Sequence, residues 1–141
     1  MRLVDANILI YAVNSASAHH PLARKWLDTA LAGSESVGLA WAVVLAFLRL
    51  STHPAVFGRA LTPAQATEVV RSWLTQPAAV IVEPGPQHLE LLAGLLAEAG
   101  TAGNLVSDAH LAAIAIQHDA ELVSFDRDFA RFAGLRWAIP E

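Results

Sequence analysis

The sequence predicts an α/β fold: a mostly parallel sheet of about five strands with helices on both faces. Short apolar runs of strand length alternate with helix-length segments along the whole chain. That alternation is the signature of βαβ units and a parallel sheet. The composition is 55% hydrophobic and only 16% charged, as expected when both faces of a sheet are covered. Two of the apolar runs stop at an aspartate, so acids are expected at the carboxyl edge of the sheet. With 141 residues and no Pro/Ser-rich linker or repeat, residues 1–141 are expected to form one domain.

The first strand is Arg2-Leu-Val-Asp5, and a first helical segment runs from Asn7 to Val13. Ser17 is a candidate N-cap for a helix from Ala18 to Ala32, with Pro21 in its first turn and Gly33 as its stop. Ser36 to Trp41 reads as the second strand. Ala42 to Thr52 reads as a helix halted by His53-Pro54, because a residue preceding proline is pushed out of the α region. Thr62-Pro63-Ala64-Gln65 has the pattern of an N-cap followed by proline at the first helical position, opening a helix to Leu74. Ala79 to Glu83 is the third strand, and Pro84-Gly85-Pro86 turns into a helix from Gln87 to Ala99. After the loop Gly100 to Gly103, Ser107 is a candidate cap for a helix from Asp108 to about Gln117. Glu121 to Phe125 is the fourth strand, Asp126 to Phe132 a short helix or turn, and Leu135 to Ile139 an edge strand ended by Pro140.

Several function classes drop out on composition. The longest apolar run, Val37 to Leu48, stops at Arg49 and is too short to span a bilayer. The opening MRLVDAN has none of the regions of a signal peptide, and there is no cysteine, which removes disulfides and thiolate metal sites; a cytoplasmic protein is the expectation. The net charge of −4 argues against a simple polyanion binder. Setting aside Asp5, Asp108, Asp126 and Asp128, however, leaves nine acids against nine Lys and Arg. Two Mg²⁺ ions bound at those four would offset the cluster and leave the remaining surface balanced.

Those aspartates occur in LVDAN, NLVSDAH and VSFDRDF, that is, at two strand ends and a helix opening. Ligands of open parallel sheets sit beyond the carboxyl ends of the strands. Carboxylates gathered there are the hard oxygen donors that Mg²⁺ or Mn²⁺ prefers, and such ions support phosphodiester hydrolysis by activating water and stabilising the leaving oxygen. Asn7 and Ser124 stand beside Asp5 and Asp126 and can orient a carboxylate or a water. Each acid alone has an ordinary reading: Asp5 as a helix cap, Asp108 as a first-turn acid, Asp126 and Asp128 as turn residues. Their joint occurrence favours the functional one.

The other chemistry-bearing side chains are weaker signals. None of the six histidines has metal-binding spacing such as HExxH. Trp26, Trp41, Trp73 and Trp137 lie in apolar contexts and read as core. Arg49, Arg127 and Arg131 are placed to meet phosphates, or are simply solvated. A receiver-like domain would need a lysine opposite the acids, and the only lysine, Lys25, is on the first long helix. A phosphatase of the DxD type would carry its acid pair where this chain has Asp5-Ala-Asn7.

The stretches LVDANILIY, GNLVSDAHLAAIAIQHDAELVSFDRDF and GLRW resemble PIN-domain ribonucleases, and more narrowly the VapC toxins of bacterial VapBC toxin–antitoxin modules. The resemblance implies a three-layer α/β/α domain, Mg²⁺- or Mn²⁺-dependent endoribonuclease activity, a homodimer, and a small VapB-type antitoxin that blocks the site. It assigns Asp5, Asp108 and Asp126 to the metal-binding acids, Asp128 to an accessory catalytic acid, and Asn7 and Ser124 to supporting polar roles. On that basis Asp5 and Asp108 hold the main ion, while Asp126 and Asp128 bind or orient a second ion or the attacking water. The Leu- and Ala-rich helices and the loop around Phe57 and Arg59 become candidates for an antitoxin groove or dimer surface. One departure stands out. The family usually has a glutamate on the helix after the second strand, where this chain reads Val43-Val-Leu-Ala46-Phe47-Leu-Arg49. That absence motivates a competing expectation, a catalytically weak or inactive PIN-like module that binds RNA or antitoxin.

Overall fold

The computed structural model describes residues 1–141. Five strands, β1 (Arg2–Val4), β2 (Val37–Ala40), β3 (Ala79–Val82), β4 (Glu121–Val123) and β5 (Trp137–Ala138), form one sheet in the order β3-β2-β1-β4-β5. All four pairings are parallel, with Leu3 beside Gly38 on one side and Leu122 on the other. Six helices connect them: α1 (Ala6–Val13), α2 (His20–Leu31), α3 (Trp41–Ser51), α4 (Pro63–Leu74), α5 (His88–Ala99) and α6 (Leu105–Gln117). Arg127–Arg131 forms a 3₁₀ turn between β4 and β5.

Successive residues of a strand face opposite sides of a sheet. Leu3 and Val4 of β1 are both buried, as are Leu122 and Val123 of β4, so the centre of the sheet is covered on both faces. Thirty-two buried side chains make one continuous core. Phe47 of α3 is fully buried and meets Trp73 of α4 edge to face at 4.9 Å between ring centroids.

The α/β class, the parallel sheet and every element are as the sequence predicts; several boundaries and side-chain placements differ. Ser17 does not cap α2, which starts at His20 after a turn in which the His20 amide donates to the Ser17 carbonyl. Nor does Ser107 cap α6. That helix begins at Leu105, because a turn through Gly103 (φ 55°) lets the carbonyls of Ala102 and Gly103 accept its first amides, making a side-chain cap unnecessary. Asp108 stays in the first turn. Thr62 caps α4 with Pro63 opening it, as expected, and Gln65 reaches back to complete a capping box. Gly100 closes α5 at φ 71°, the left-handed conformation glycine adopts without strain.

Trp73 is a core residue, Trp26 and Trp137 are half-buried against the core, and Trp41 at the start of α3 is 48% exposed, so the expectation of four core tryptophans holds only for Trp73. Phe57 is only 4% exposed; it packs in the core, and of that loop only the surrounding positions are open to a partner. Phe47→Ala is expected to cost about 3–5 kcal/mol in denaturant unfolding, the usual range for emptying a packed aromatic site. Leu45→Ala on the same helix, at a side chain 59% exposed, should cost under about 0.5 kcal/mol.

Candidate metal centre

The strand order reverses direction at β1, whose neighbours are β2 and β4. A crevice at the carboxyl ends of β1 and β4 follows from that topology. Asp5 leaves β1 into this crevice, and Ser124, Asp126 and Asp128 leave β4 into it. The two strand ends are tied together by hydrogen bonds. The Asp5 amide donates to the Val123 carbonyl at 3.0 Å. The Ser124 hydroxyl donates to Asp5 Oδ2 at 2.7 Å, and Asn7 Nδ2 donates to Asp5 Oδ2 at 3.1 Å and to Ser124 Oγ at 3.0 Å. The Phe125 amide donates to Asn7 Oδ1 at 3.3 Å, and the Asp126 amide to Ser124 Oγ at 2.9 Å. Asn7 and Ser124, the polar residues singled out in the sequence, thus bridge the first and fourth strands.

The ordinary readings of these acids hold as well. Asp5 Oδ1 accepts from the Ala6 amide at 2.7 Å and caps α1. Asp126 Oδ1 accepts from the Asp128 amide at 2.9 Å and caps the 3₁₀ turn. A carboxylate offers about four acceptor sites, and the three bonds to Asp5 leave one of them, on Oδ1, free.

Asp108 from α6 converges with Asp126 and Asp128: each offers a carboxylate oxygen within 4.8 Å of the others. Asp5 stands just outside this triplet. The distances therefore group 108, 126 and 128, whereas the sequence paired Asp5 with Asp108. The four charges nevertheless act on one another. Burial raises the proton affinity of Asp5, its bonds from Ser124 and Ala6 oppose that, and the charge of Asp126 adds to it. Burial, then the charges of Asp126, Asp5 and Asp128, push the pKa of Asp108 up to about 6. Carboxylates so placed repel until a cation joins them. All donors are hard oxygens without a thiolate or imidazole in the group, so the set suits Mg²⁺ or Mn²⁺ better than zinc.

A groove of about 600 Å³ opens beside Asp5 and Asp108, walled by Ala42, Leu45 and Ala46 of α3, Leu92 of α5 and Val106 of α6. Ala46 faces this groove, while Phe47, next to it, is buried in the core. The position open to the acids therefore carries a methyl group, and α3 supplies no carboxylate. Arg49 lines the groove, Arg131 lies 4.0 Å from Asp128, and Arg127 points into a different cavity.

One contact had no signal in the sequence. His88 Nε2 and His110 Nδ1 are 2.8 Å apart, sharing a hydrogen bond that ties α5 to α6. The pair is separated by 22 positions, so no local spacing announces it. Burial, then the proximity of His88, lowers the pKa of His110, which lines the acid groove.

A family profile described as PIN domain matches residues 2–135. Ribonuclease VapC37 of Mycobacterium tuberculosis is 50% identical over 140 residues, covering 99% of this chain and 97% of that protein. Ribonuclease VapC33 of the same species is 41% identical, covering 99% and 98%. Among solved structures, VapBC2 from Rickettsia felis bound to promoter DNA superimposes with a TM-score of 0.72 at 20% identity, covering 99% of this chain and 98% of that one. Mycobacterium tuberculosis VapC20, a toxin cleaving the sarcin-ricin loop, gives 0.70 at 16% identity, covering 96% and 99%. The structural likenesses show the fold and the sequence likenesses show the lineage: the chain belongs to the PIN-domain family, among its VapC ribonucleases.

Proposed function

We propose that this protein is the toxin of a type II toxin–antitoxin pair and hydrolyses RNA phosphodiester bonds with the help of Mg²⁺ or Mn²⁺. The observation that carries the metal-dependent reading is the convergence of Asp108, Asp126 and Asp128 beside the strand-end carboxylate of Asp5. Asp108, Asp126 and Asp128 would hold the ion, with Asp5 contributing the free acceptor site of Oδ1. Bound there, a divalent ion supplies charge neutralisation and Lewis acidity for water attack on phosphorus as the ester bond breaks. Asn7 and Ser124 fix the orientation of Asp5, and Ser124 also holds the backbone of Asp126. Preorganising the acids in this way removes a reorganisation cost from the reaction.

A second reading rests on α3, where Ala46 stands in the groove and no carboxylate is present. On that reading the protein binds RNA or antitoxin and cuts poorly or not at all. The two are separated by one assay. Metal-dependent cutting of cellular RNA, lost in EDTA and reduced at least about 100-fold in Asp5→Asn and Asp108→Asn, is the expected result, since each removes a carboxylate acting on the transition state. Undiminished cutting in either variant or in EDTA would sink the mechanism.

The groove also suggests how activity is restrained. The Rickettsia felis and Salmonella typhimurium neighbours are VapBC complexes. An apolar groove ending at carboxylates fits a cognate VapB-type antitoxin segment with apolar side chains followed by a cation. A cytoplasmic homodimer held in such a complex completes the proposal; no helix is long and apolar enough to cross a membrane. Leu45→Asp, at an exposed groove position, is expected to weaken the complex roughly tenfold by calorimetry while leaving the melting temperature of the free toxin nearly unchanged. An unaltered complex would remove this groove as the docking face.

The raised proton affinity of Asp108 gives a metal-free test. The unfolded chain releases this proton near the ordinary value of 3.8, the folded chain at about 6. Folded protein without metal therefore loses stability as pH rises between those values, and the loss is complete above them. In EDTA, Asp108→Asn should melt above the parent protein at pH 7, with the gap closing below about pH 4. Equal melting at pH 7 would show that the carboxylate carries no such strain.

A further inference from the structure

A second cavity, of about 740 Å³, lies beside α2 at the β4–β5 side of the sheet, outside the acid groove. Its walls bring together Trp26 and Lys25 of α2, Trp137 of β5, Arg2 of β1 and Arg127 of the 3₁₀ turn. Three of the nine cationic side chains and two of the four tryptophans of the chain thus meet in one place.

Both indoles are held in position. The Arg2 guanidinium stacks over Trp26 at 5.1 Å from the ring centroid. Trp137 Nε1 donates to the carbonyl of Ser124 at 3.2 Å. Both rings are half-buried, so part of each remains available. Lys25 and Arg127 are exposed and neither is paired with a carboxylate. Arg2 Nε lies 3.4 Å from Glu35 but outside hydrogen-bonding geometry, which leaves a buried donor on the wall without an acceptor.

Glu121 and Glu141 also line the cavity and offset most of its positive charge. A long polyanion held by charge alone is disfavoured there. One base stacked on an indole, with one neighbouring phosphate met by a cation, suits the mixture. Stacking on aromatic side chains beside basic groups is how proteins hold single-stranded nucleic acid. Arg127 links the cavity to the acids only along the chain, between Asp126 and Asp128; Arg2, Trp26 beneath it and Glu121 lie at the amino ends of β1 and β4, the edge of the sheet opposite the acids.

We infer that this cavity is a nucleotide subsite for the single-stranded RNA substrate, remote from the scissile phosphate, stacking a base on Trp26 or Trp137 and meeting its phosphate with Lys25 or Arg127. The inference rests on the ribonuclease reading for the identity of the substrate. Its effect belongs to affinity and choice of cleavage position.

The test uses the full-length protein in EDTA with a fluorescein-labelled, mixed-sequence single-stranded RNA of ten nucleotides, read by anisotropy. Lys25→Gln/Trp26→Leu is expected to weaken binding roughly tenfold. Lys25→Gln alone should lower the slope of log affinity against log salt by about 0.7, the loss of one phosphate contact. With Mg²⁺ added, the double variant should show a raised KM and an unchanged kcat. If the double variant folds poorly in a thermal melt, the salt slope of Lys25→Gln, at an exposed position, decides alone. Unchanged RNA affinity and slope overturn the inference, as does a variant that loses antitoxin binding while holding RNA normally. RNA that binds with these dependences yet is never cut would remove the nuclease reading and leave the subsite standing.

Discussion

The acid site depends on a serine hydroxyl and an asparagine amide that fasten two strand ends together. β1 and β4 meet where the sheet reverses its order, and there the chain places carboxylates that repel one another. Ser124 donates to Asp5 while accepting from Asn7 and from the Asp126 amide. One buried hydroxyl therefore sets the position of a carboxylate on the first strand and of the backbone that carries another. The cost of gathering the acids falls on the apolar core, whose 32 buried side chains supply stability the site itself does not.

Helix capping and the proposed ion binding call on the same carboxylates. Asp5 caps α1 and Asp126 caps the 3₁₀ turn, yet both lie at the crevice. A cap fixes a carboxylate's rotamer through backbone amides, which is also what an ion-binding site needs. The ordinary reading and the functional reading of these residues are two consequences of one geometry, so neither excludes the other.

Much of this was legible in the sequence because it is encoded locally. Strand and helix alternation, the Thr62 cap with Pro63 behind it, and the end of α5 before the Gly100 loop each rest on neighbouring residues. The acids stood out because strand ends in an apolar chain rarely need charge. What escaped depends on distant partners. The turn at Gly103 moved the start of α6 through backbone bonds that Ser107 does not reveal. The exposure of Trp41 and the burial of Phe57 follow from how helices pack, and the His88–His110 contact joins two different helices. The lack of a glutamate on α3 was visible as an absence. Which residue faces the acids was not, and the structure answers it with Ala46. The comparisons with VapC ribonucleases confirm the lineage that the acid-bearing motifs suggested.

The carboxylates come from widely separated stretches of the chain, with Asp5 after the first strand, Asp108 on α6, and Asp126 and Asp128 after the fourth strand. During synthesis the N-terminal acid leaves the ribosome long before its partners exist. Any product interrupted ahead of β4 lacks both the hydroxyl clasp and half of the anionic cluster. The acid cluster is complete only once the chain has been made through Asp128.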